Sequence, residues 1–334
     1  LKKTYYLFNP GTLSRRDNTL KFEPHDADRK VGKARYLPVE GVEELYVFGD
    51  LDANSALYNF LGKQQVTVHF FDYYENYTGS FVPRDQLLSG RVLMAQAACN
   101  LDKKRRVEVA RLFVEAAAFN MTKNLKYYAN RGKNTQLFID TIGQYSAGLS
   151  EISQIDELMG VEGNIRMKYY EAFGEIMEPF EFGYRSKRPP HNELNALISF
   201  GNMMCYSQCL RAIHQTQLNP TVSFLHEPGE RRYSLALDIA EIFKPILVDR
   251  VIFKLINRHE IKAEDFDRKT AFLTLKEKGK KTFVEAFENR LEETIRHRSL
   301  HRNVSYRHLM RLECYKLIKH LMKIEQYKPF KIWW

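Results

Sequence analysis

The densest run of chemistry-capable residues lies between Asn219 and Pro245, where Leu225-His226-Glu227 is followed by Leu237-Asp238-Ile239-Ala240-Glu241. Asp238 and Glu241 stand three apart, which on a helix places both carboxylates on one face. A histidine entering from a neighbouring loop can join them, and such a group has the donors to hold a divalent cation. The same helix admits a plainer reading. Leu235, Ile239, Ile242 and Phe243 would then form a core stripe, with the two acids solvated or paired with Arg231, Arg232 or Lys244. A third acid, Glu162, precedes Gly163 inside an otherwise helical stretch from Val161 to Phe173. Glycine there costs about 1 kcal/mol of helix propensity relative to alanine, which points to close approach by another backbone or a ligand. The alternative is a glutamate favoured at a helix start by the macrodipole.

These residues need elements to position them. The pre-proline, glycine-containing stretch around His226 reads as a loop, and the part from Ser234 as a helix capped by that serine. Leu194 to Leu210 carries no formal charge, but Asn195, Ser199, Asn202, Ser207 and Gln208 interrupt it, so it reads as a buried helix and not a lipid-facing one. Val107, Ala110, Val114 and Ala117 give one apolar helix face; Met310, Cys314, Leu317, Leu321 and Ile324 give another after a Ser305 cap. The first part of the chain differs. Thr4 to Phe8, Thr19 to Phe22, Ala34 to Val39, Glu44 to Phe48 and Val66 to Phe71 read as strands, with turns at Asn9-Pro10-Gly11, Gly49-Asp50 and Thr78-Gly79. One short helix, Leu51 to Leu61, is expected among them, with Asp52 or Asn54 as cap and Gly62 as terminator.

Composition supports two folded parts. The 334 residues are 44% hydrophobic, enough for two cores, which excludes disorder and fibre formation. Lys and Arg number 51 against 41 Asp and Glu. Residues 1–87 hold 11 basic and 12 acidic side chains, whereas 88–334 hold 40 and 29, so a polyanion-binding surface belongs to the second part. The four cysteines are too sparse for a disulfide framework, and Cys205 and Cys209 have no second pair at ligand spacing, so they read as core thiols. With no export signal in the opening residues, a cytoplasmic protein is expected.

Taken together, several stretches resemble a known family. They are the Glu162-Gly163-x-x-Arg166 helix with its Tyr169-Tyr170-x-x-Phe173 continuation, and the Arg185 to Pro190 stretch leading into Asn195-Ala196-Leu197-Ile198-Ser199-Phe200-Gly201. The third is Leu225-His226-Glu227 followed by Leu237-Asp238-x-x-Glu241-x-Phe243-Lys244-Pro245. In order and spacing they resemble Cas1, the CRISPR-associated integrase of spacer acquisition, along essentially the whole chain. The opening from Thr4 to Asn18 is similar to the branch associated with type I-B systems.

The resemblance implies an α+β protein with a small N-terminal β-sandwich-like dimerisation domain at 1–87. A larger, all-helical catalytic domain that binds metal and DNA follows at 88–334. It implies metal ligation by Glu162, His226 and Glu241, with Asp238 supporting the site. That donor set suits Mn²⁺ or Mg²⁺, hard ions that keep positions open for water and phosphate. The implied reaction joins the 3′-hydroxyl ends of short double-stranded DNA fragments to CRISPR repeat boundaries by transesterification, or hydrolyses DNA when water attacks. The implied assembly is two homodimers bridged by a Cas2 dimer. Candidate phosphate contacts are Arg166, Lys168, Arg185, Lys187, Arg188 and Lys244, with Lys276 to Lys281 and Arg290 to Arg311 as remoter ones. Two rivals stand beside it: a non-catalytic DNA-binding scaffold, and a structure-specific repair nuclease.

Overall fold

The computed structural model describes residues 2–26, 30–72, 74–83, 87–177, 180, 182–186, 190–229, 233–267 and 273–333. The chain forms two compact units, Leu1–Gln86 and Leu87–Trp334. The candidate phosphate contacts Lys187 and Arg188, and the alternative partners Arg231 and Arg232, lie outside the described residues.

The first unit is built from two four-stranded sheets. One has the order β1 (Lys3–Leu7), β5 (Val42–Val47), β7 (Thr67–Phe71) and β8 (Tyr77–Phe81), parallel except for the last pair. The other runs β4 (Arg35–Pro38), β3 (Thr19–Pro24), β2 (Gly11–Arg16) and β6 (Leu51–Asp52). Both sheets and helix α1 (Ser55–Lys63) feed one core, including Leu7, Leu13, Phe22, Val42, Leu45, Leu61 and Val68. Two local expectations shift. Leu51 and Asp52 pair as a strand, so α1 starts later, with the Asn54 side chain accepting from Leu57 N at 3.0 Å, and Gly62 sits in its last turn. Thr78 and Gly79 are not a turn but part of β8, where the Thr78 hydroxyl donates to Phe70 O.

The second unit is helical. It comprises α2 (Gly90–Leu101), α3 (Lys103–Ala129), α4 (Gln136–Ala147), α5 (Ile155–Glu171), the single turn α6 (Phe173–Ile176), α7 (Glu193–His214), α8 (Ser234–Lys244), α9 (Arg250–Asn257), α10 (Glu277–Glu292) and α11 (Tyr306–Leu321). Two short hairpins interrupt it: β9 (Phe266–Asp267) with β10 (Thr274–Leu275), and β11 (Thr294–Arg296) with β12 (Asn303–Ser305). Helix α8 packs between α3 and α7, which is why nearly all of it is buried. No helix among the described residues is long and apolar enough to cross a membrane. Ser305 caps α11 by accepting from His308 N, but Ile324 lies beyond the helix and is exposed, so the stripe ends at Leu321.

One distortion bears on the site. Pro245 cannot continue the backbone ladder because it lacks an N–H, and Pro245–Asp249 winds as a π-helix between α8 and α9. Buried Asn120 and Asn124 and partly buried Arg290 donate to carbonyls around this step: Asn120 to Ile242 O at 3.0 Å, Asn124 to Pro245 O at 2.6 Å and Arg290 to Ile246 O at 3.0 Å. Gly201 lets α7 lie close against this segment, since a Cβ there would sit 2.4 Å from Val248 Cγ1 and 2.8 Å from Phe283 Cζ.

Candidate metal and DNA-processing centre

Three elements of the second unit bring the candidate residues together. Glu162 is in the middle of α5, away from the helix start, so the macrodipole does not account for it. Gly163 is exposed and a Cβ there would meet nothing within 4 Å, so no protein backbone demands the glycine. Asp238 and Glu241 sit one turn apart on α8 and are both buried. His226 projects from the loop before that helix, its side chain about one quarter exposed, at 27%.

The loop is fastened from both ends. Gln96, buried on α2, donates through Nε2 to Asn219 O at 2.9 Å and Val222 O at 2.6 Å, and its Oε1 accepts from Asn219 N at 3.0 Å. Asn100, one turn along, donates to Ser223 O at 2.6 Å, and Arg106 Nε on α3 donates to Phe224 O at 2.9 Å. Ser234 is the first residue of α8, not its cap, and its hydroxyl donates back to Thr221 O at 3.0 Å. Sequence reasoning missed Gln96, Asn100 and Arg106. The legible signal was a glutamine and an asparagine four apart on one helix face beside buried Cys99.

Asp238 completes the clamp. Its Oδ2 accepts from Phe224 N at 2.7 Å and Leu225 N at 3.0 Å, and its Oδ1 accepts from His226 N at 3.0 Å. The same Oδ1 lies 2.8 Å from His226 Nδ1. With Nδ1 donating to that carboxylate, Nε2 carries the lone pair and is the nitrogen free for a ligand. The acid thus orients the imidazole while closing three backbone hydrogen bonds.

The other half of the centre is an ion-pair cluster. Arg166, one turn after Glu162, donates to Glu162 Oε1 from Nε at 2.7 Å and also pairs with Glu241. Lys244 Nζ donates to Glu241 Oε1 at 2.7 Å. Burial pushes the Glu162 carboxyl up, but Arg166, then Lys244 and His226, more than offset it and hold it below its usual value. Burial also works against the Arg166 charge, yet Glu162 and then Tyr170 raise its pKa. Lys244 is pulled down, first by burial and then by the Arg166 charge.

Beneath this cluster lies a buried acid that the sequence did not single out. Burial pushes the Asp249 carboxyl up to about 7, against the opposing pull of the Tyr169 hydroxyl and of Arg166, Lys244 and Arg185. Tyr169 also accepts from Asn124 Nδ2 at 2.9 Å, tying α5 to α3 and to the π-helical turn. Tyr169 and Tyr170 are both buried and pack on Phe173.

The structure therefore joins Glu162 and Glu241 through one guanidinium and sets His226 near enough to act electrostatically on Glu162. Among the described residues no three His, Cys, Asp or Glu side chains are arranged as a metal site. Arg166 stands between the two carboxylates and pairs with both. The donor chemistry still fits a hard divalent cation, because two carboxylates already share a positive charge and one imidazole nitrogen is oriented by Asp238. The candidate phosphate contacts divide. Arg166 and Lys244 are turned inward to the acids, and Lys168 pairs with Glu171 at 2.7 Å. Arg185 donates to Asn195 Oδ1 at 2.9 Å and Ser199 Oγ at 3.1 Å on α7, anchoring the segment before that helix. The cysteines are buried, and burial raises the Cys209 and Cys314 thiols, so they stand apart from this chemistry.

Known proteins share this arrangement of chain. A protein named CRISPR-associated endonuclease Cas1 3 from Thermodesulfovibrio yellowstonii is 48% identical over 99% of this chain and 100% of its own length. One named CRISPR-associated endonuclease Cas1 from Fusobacterium nucleatum is 45% identical over 100% and 98%. The solved structure of TM1797, a Cas1 protein from Thermotoga maritima, superposes with a TM-score of 0.85 at 37% identity, covering 99% and 100% of the two chains. A casposase bound to its integration product superposes with a TM-score of 0.87 at 22% identity, over 98% of this chain and 92% of that one, which shows a common fold. The family model described as CRISPR associated protein Cas1 matches residues 5–289, a span that holds both sheets, the His226 loop and the Glu162, Asp238 and Glu241 helices; the chain belongs to the Cas1 family.

Proposed function

We propose that this chain is a divalent-metal-dependent DNA endonuclease and integrase of CRISPR spacer acquisition. It would join the 3′-hydroxyl ends of short duplex fragments to repeat boundaries. One observation supports this above the rest: Glu162 and Glu241, distant in sequence, share a single cation, beside an imidazole whose Nδ1 is engaged by Asp238. Glu162, Glu241 and His226 Nε2 would hold the ion. Bound there, Mg²⁺ or Mn²⁺ would supply Lewis-acid polarisation of the target phosphodiester and offset the charge that builds as a hydroxyl attacks. Asp238 keeps the imidazole in its ligating orientation. Arg166 and Lys244, turned inward here, become available to phosphate once the carboxylates take another cation, which would reconcile their position with a role on DNA.

The assembly proposed for this chain is a homodimer working with a Cas2 partner in the cytoplasm. Part of a chain in a Cas6-RT-Cas1–Cas2 complex has the same fold, with a TM-score of 0.81 at 17% identity over 99% of this chain and 36% of that one.

The deciding experiment supplies purified protein, freed of metal by chelation, with 3′-hydroxyl duplex fragments and a repeat-containing target. Joined products that need added Mn²⁺ or Mg²⁺, and that vanish in Glu162→Ala, His226→Ala and Glu241→Ala, support the proposal. Cleavage without joining would point to the repair nuclease. DNA binding with neither reaction would leave a scaffold.

A further inference from the structure

The second unit carries a strongly basic hairpin that the metal centre does not use. From Thr294 to Leu312 the chain has no acidic residue and five arginines. Strands β11 and β12 pair antiparallel, Ile295 with Val304 and Arg296 with Asn303. Alternation turns Ile295 and Val304 toward the protein and leaves Thr294, Arg296 and Asn303 exposed on the other face. The tip is held as a hydrogen-bonded turn: His297 N donates to Arg302 O at 2.8 Å and His301 N to His297 O at 2.9 Å, with His301 at φ 51°.

Acids flanking the hairpin are neutralised locally. Glu292 accepts from Arg307 Nε at 2.7 Å, and Glu293 pairs with Arg290. Arg296, Arg298 and Arg302 are exposed and make no ion pair among the described residues. Arg298 lies over the Trp333 ring, its guanidinium carbon 5.2 Å from the centroid, a contact that leaves its N–H edges available. The concentration of charge is felt by the histidines nearby. After burial, Lys316 and Arg302 lower the His297 pKa, and Arg311, Arg302 and His297 lower that of His308.

We infer that the β11–β12 hairpin grips the sugar-phosphate backbone of duplex DNA through Arg296, Arg298 and Arg302, as a contact separate from the metal centre. The inference rests on the DNA-processing reading above. Three observations select this partner. The exposed residue types, arginine with threonine and asparagine, are those that bond phosphate oxygens. The hairpin has no Phe, Tyr or Trp of its own on which unpaired bases could stack, which argues for duplex over single strand. A two-stranded ribbon fits along the wide major groove of B-form DNA, whereas the A-form groove of duplex RNA is too narrow to take one.

The test compares wild type with the Arg296→Ala/Arg298→Ala/Arg302→Ala variant of the full chain, first confirming by thermal melting that it folds. Anisotropy with a mixed-sequence duplex of about 30 base pairs, in chelator and over roughly 50 to 200 mM salt, gives affinity and salt slope. Affinity should fall about 10-fold or more near 100 mM salt, and the slope of log K against log salt should shrink by about 1 to 3 units, as expected for up to three lost phosphate contacts. Arg→Lys at the same three positions should restore most of both. Unchanged affinity and slope would overturn the inference, as would tighter hairpin-dependent binding to duplex RNA or to an acidic polypeptide than to DNA. Strand joining by the wild-type protein, measured alongside, separates the two claims. If joining never occurs in wild type but the hairpin effect persists, the catalytic reading fails and this surface stands; joining with no hairpin effect leaves the reverse.

Discussion

The two halves of the centre are held by different physics. On the His226 side, one buried carboxylate accepts three backbone N–H groups and orients a ring, so the geometry is set by the fold. On the Glu162 side, the carboxylates are held by ion pairs to the Arg166 and Lys244 side chains. If those ion pairs exchange, a preformed arm and an exchangeable arm would suit the proposed metal site, which needs one donor kept aimed while the carboxylates release a resident cation.

Breaking the exchangeable arm should cost activity and little stability. Glu162→Gln and Glu241→Gln keep volume but remove a ligand charge, so strand joining should fall on the order of 10³-fold or more. Because Arg166 retains an acid, the unfolding midpoint of Glu162→Gln should stay close to wild type, whereas Glu241→Gln also takes the carboxylate from Lys244 and should melt somewhat lower. A joining rate within about 10-fold of wild type in either variant would remove that acid from the ion.

Breaking the preformed arm should cost stability. Asp238→Asn has one acceptor oxygen for four donors and turns an NH₂ toward some of them, for a loss of about 2 to 4 kcal/mol in urea unfolding. A loss under about 0.5 kcal/mol would mean the loop is held by Gln96, Asn100 and Arg106 alone.

Asp249 sharpens the contrast, because it is a buried acid with few compensating donors. Its folded pKa of about 7 lies above the unfolded value, so the native state holds the proton longer. The contribution of Asp249 to stability is then greatest below about pH 4, falls as pH rises toward 7, and stays reduced above it. Asp249→Asn should remove this dependence, giving a gain of up to about 4 kcal/mol at pH 8 that disappears below about pH 4. A constant difference across pH would show that Asp249 does not titrate in this range.

The contrast also explains what the sequence disclosed. Asp238 and Glu241 at helical spacing announced a shared face, and the pre-proline stretch around His226 announced a loop, because both follow from local pattern; a ligand role for His226 came only from the family resemblance. The Glu162 pairing depends on how α5 meets α8, which no local pattern encodes. The clamp residues Gln96, Asn100 and Arg106 were hidden for the same reason. Asp249 was invisible because its environment arises from a π-helical turn at Pro245 that brings Tyr169 beside it. In the first unit, Thr78-Gly79 misled because turn-forming types were accommodated on an edge strand.

The smallest effect tests exchange itself. If Arg166 competes with the metal, removing its charge should favour the metal, since two carboxylates at low exposure would face each other with less compensation. Arg166→Gln should bind Mn²⁺ about 3- to 10-fold more tightly than wild type in DNA-free protein at low salt, read by calorimetry or electron paramagnetic resonance. Arg166→Lys keeps the positive charge and should remain near wild type. Weaker Mn²⁺ binding in Arg166→Gln would reverse the argument: the guanidinium would then be holding the carboxylates in ligating position, and both arms of the centre would be preformed.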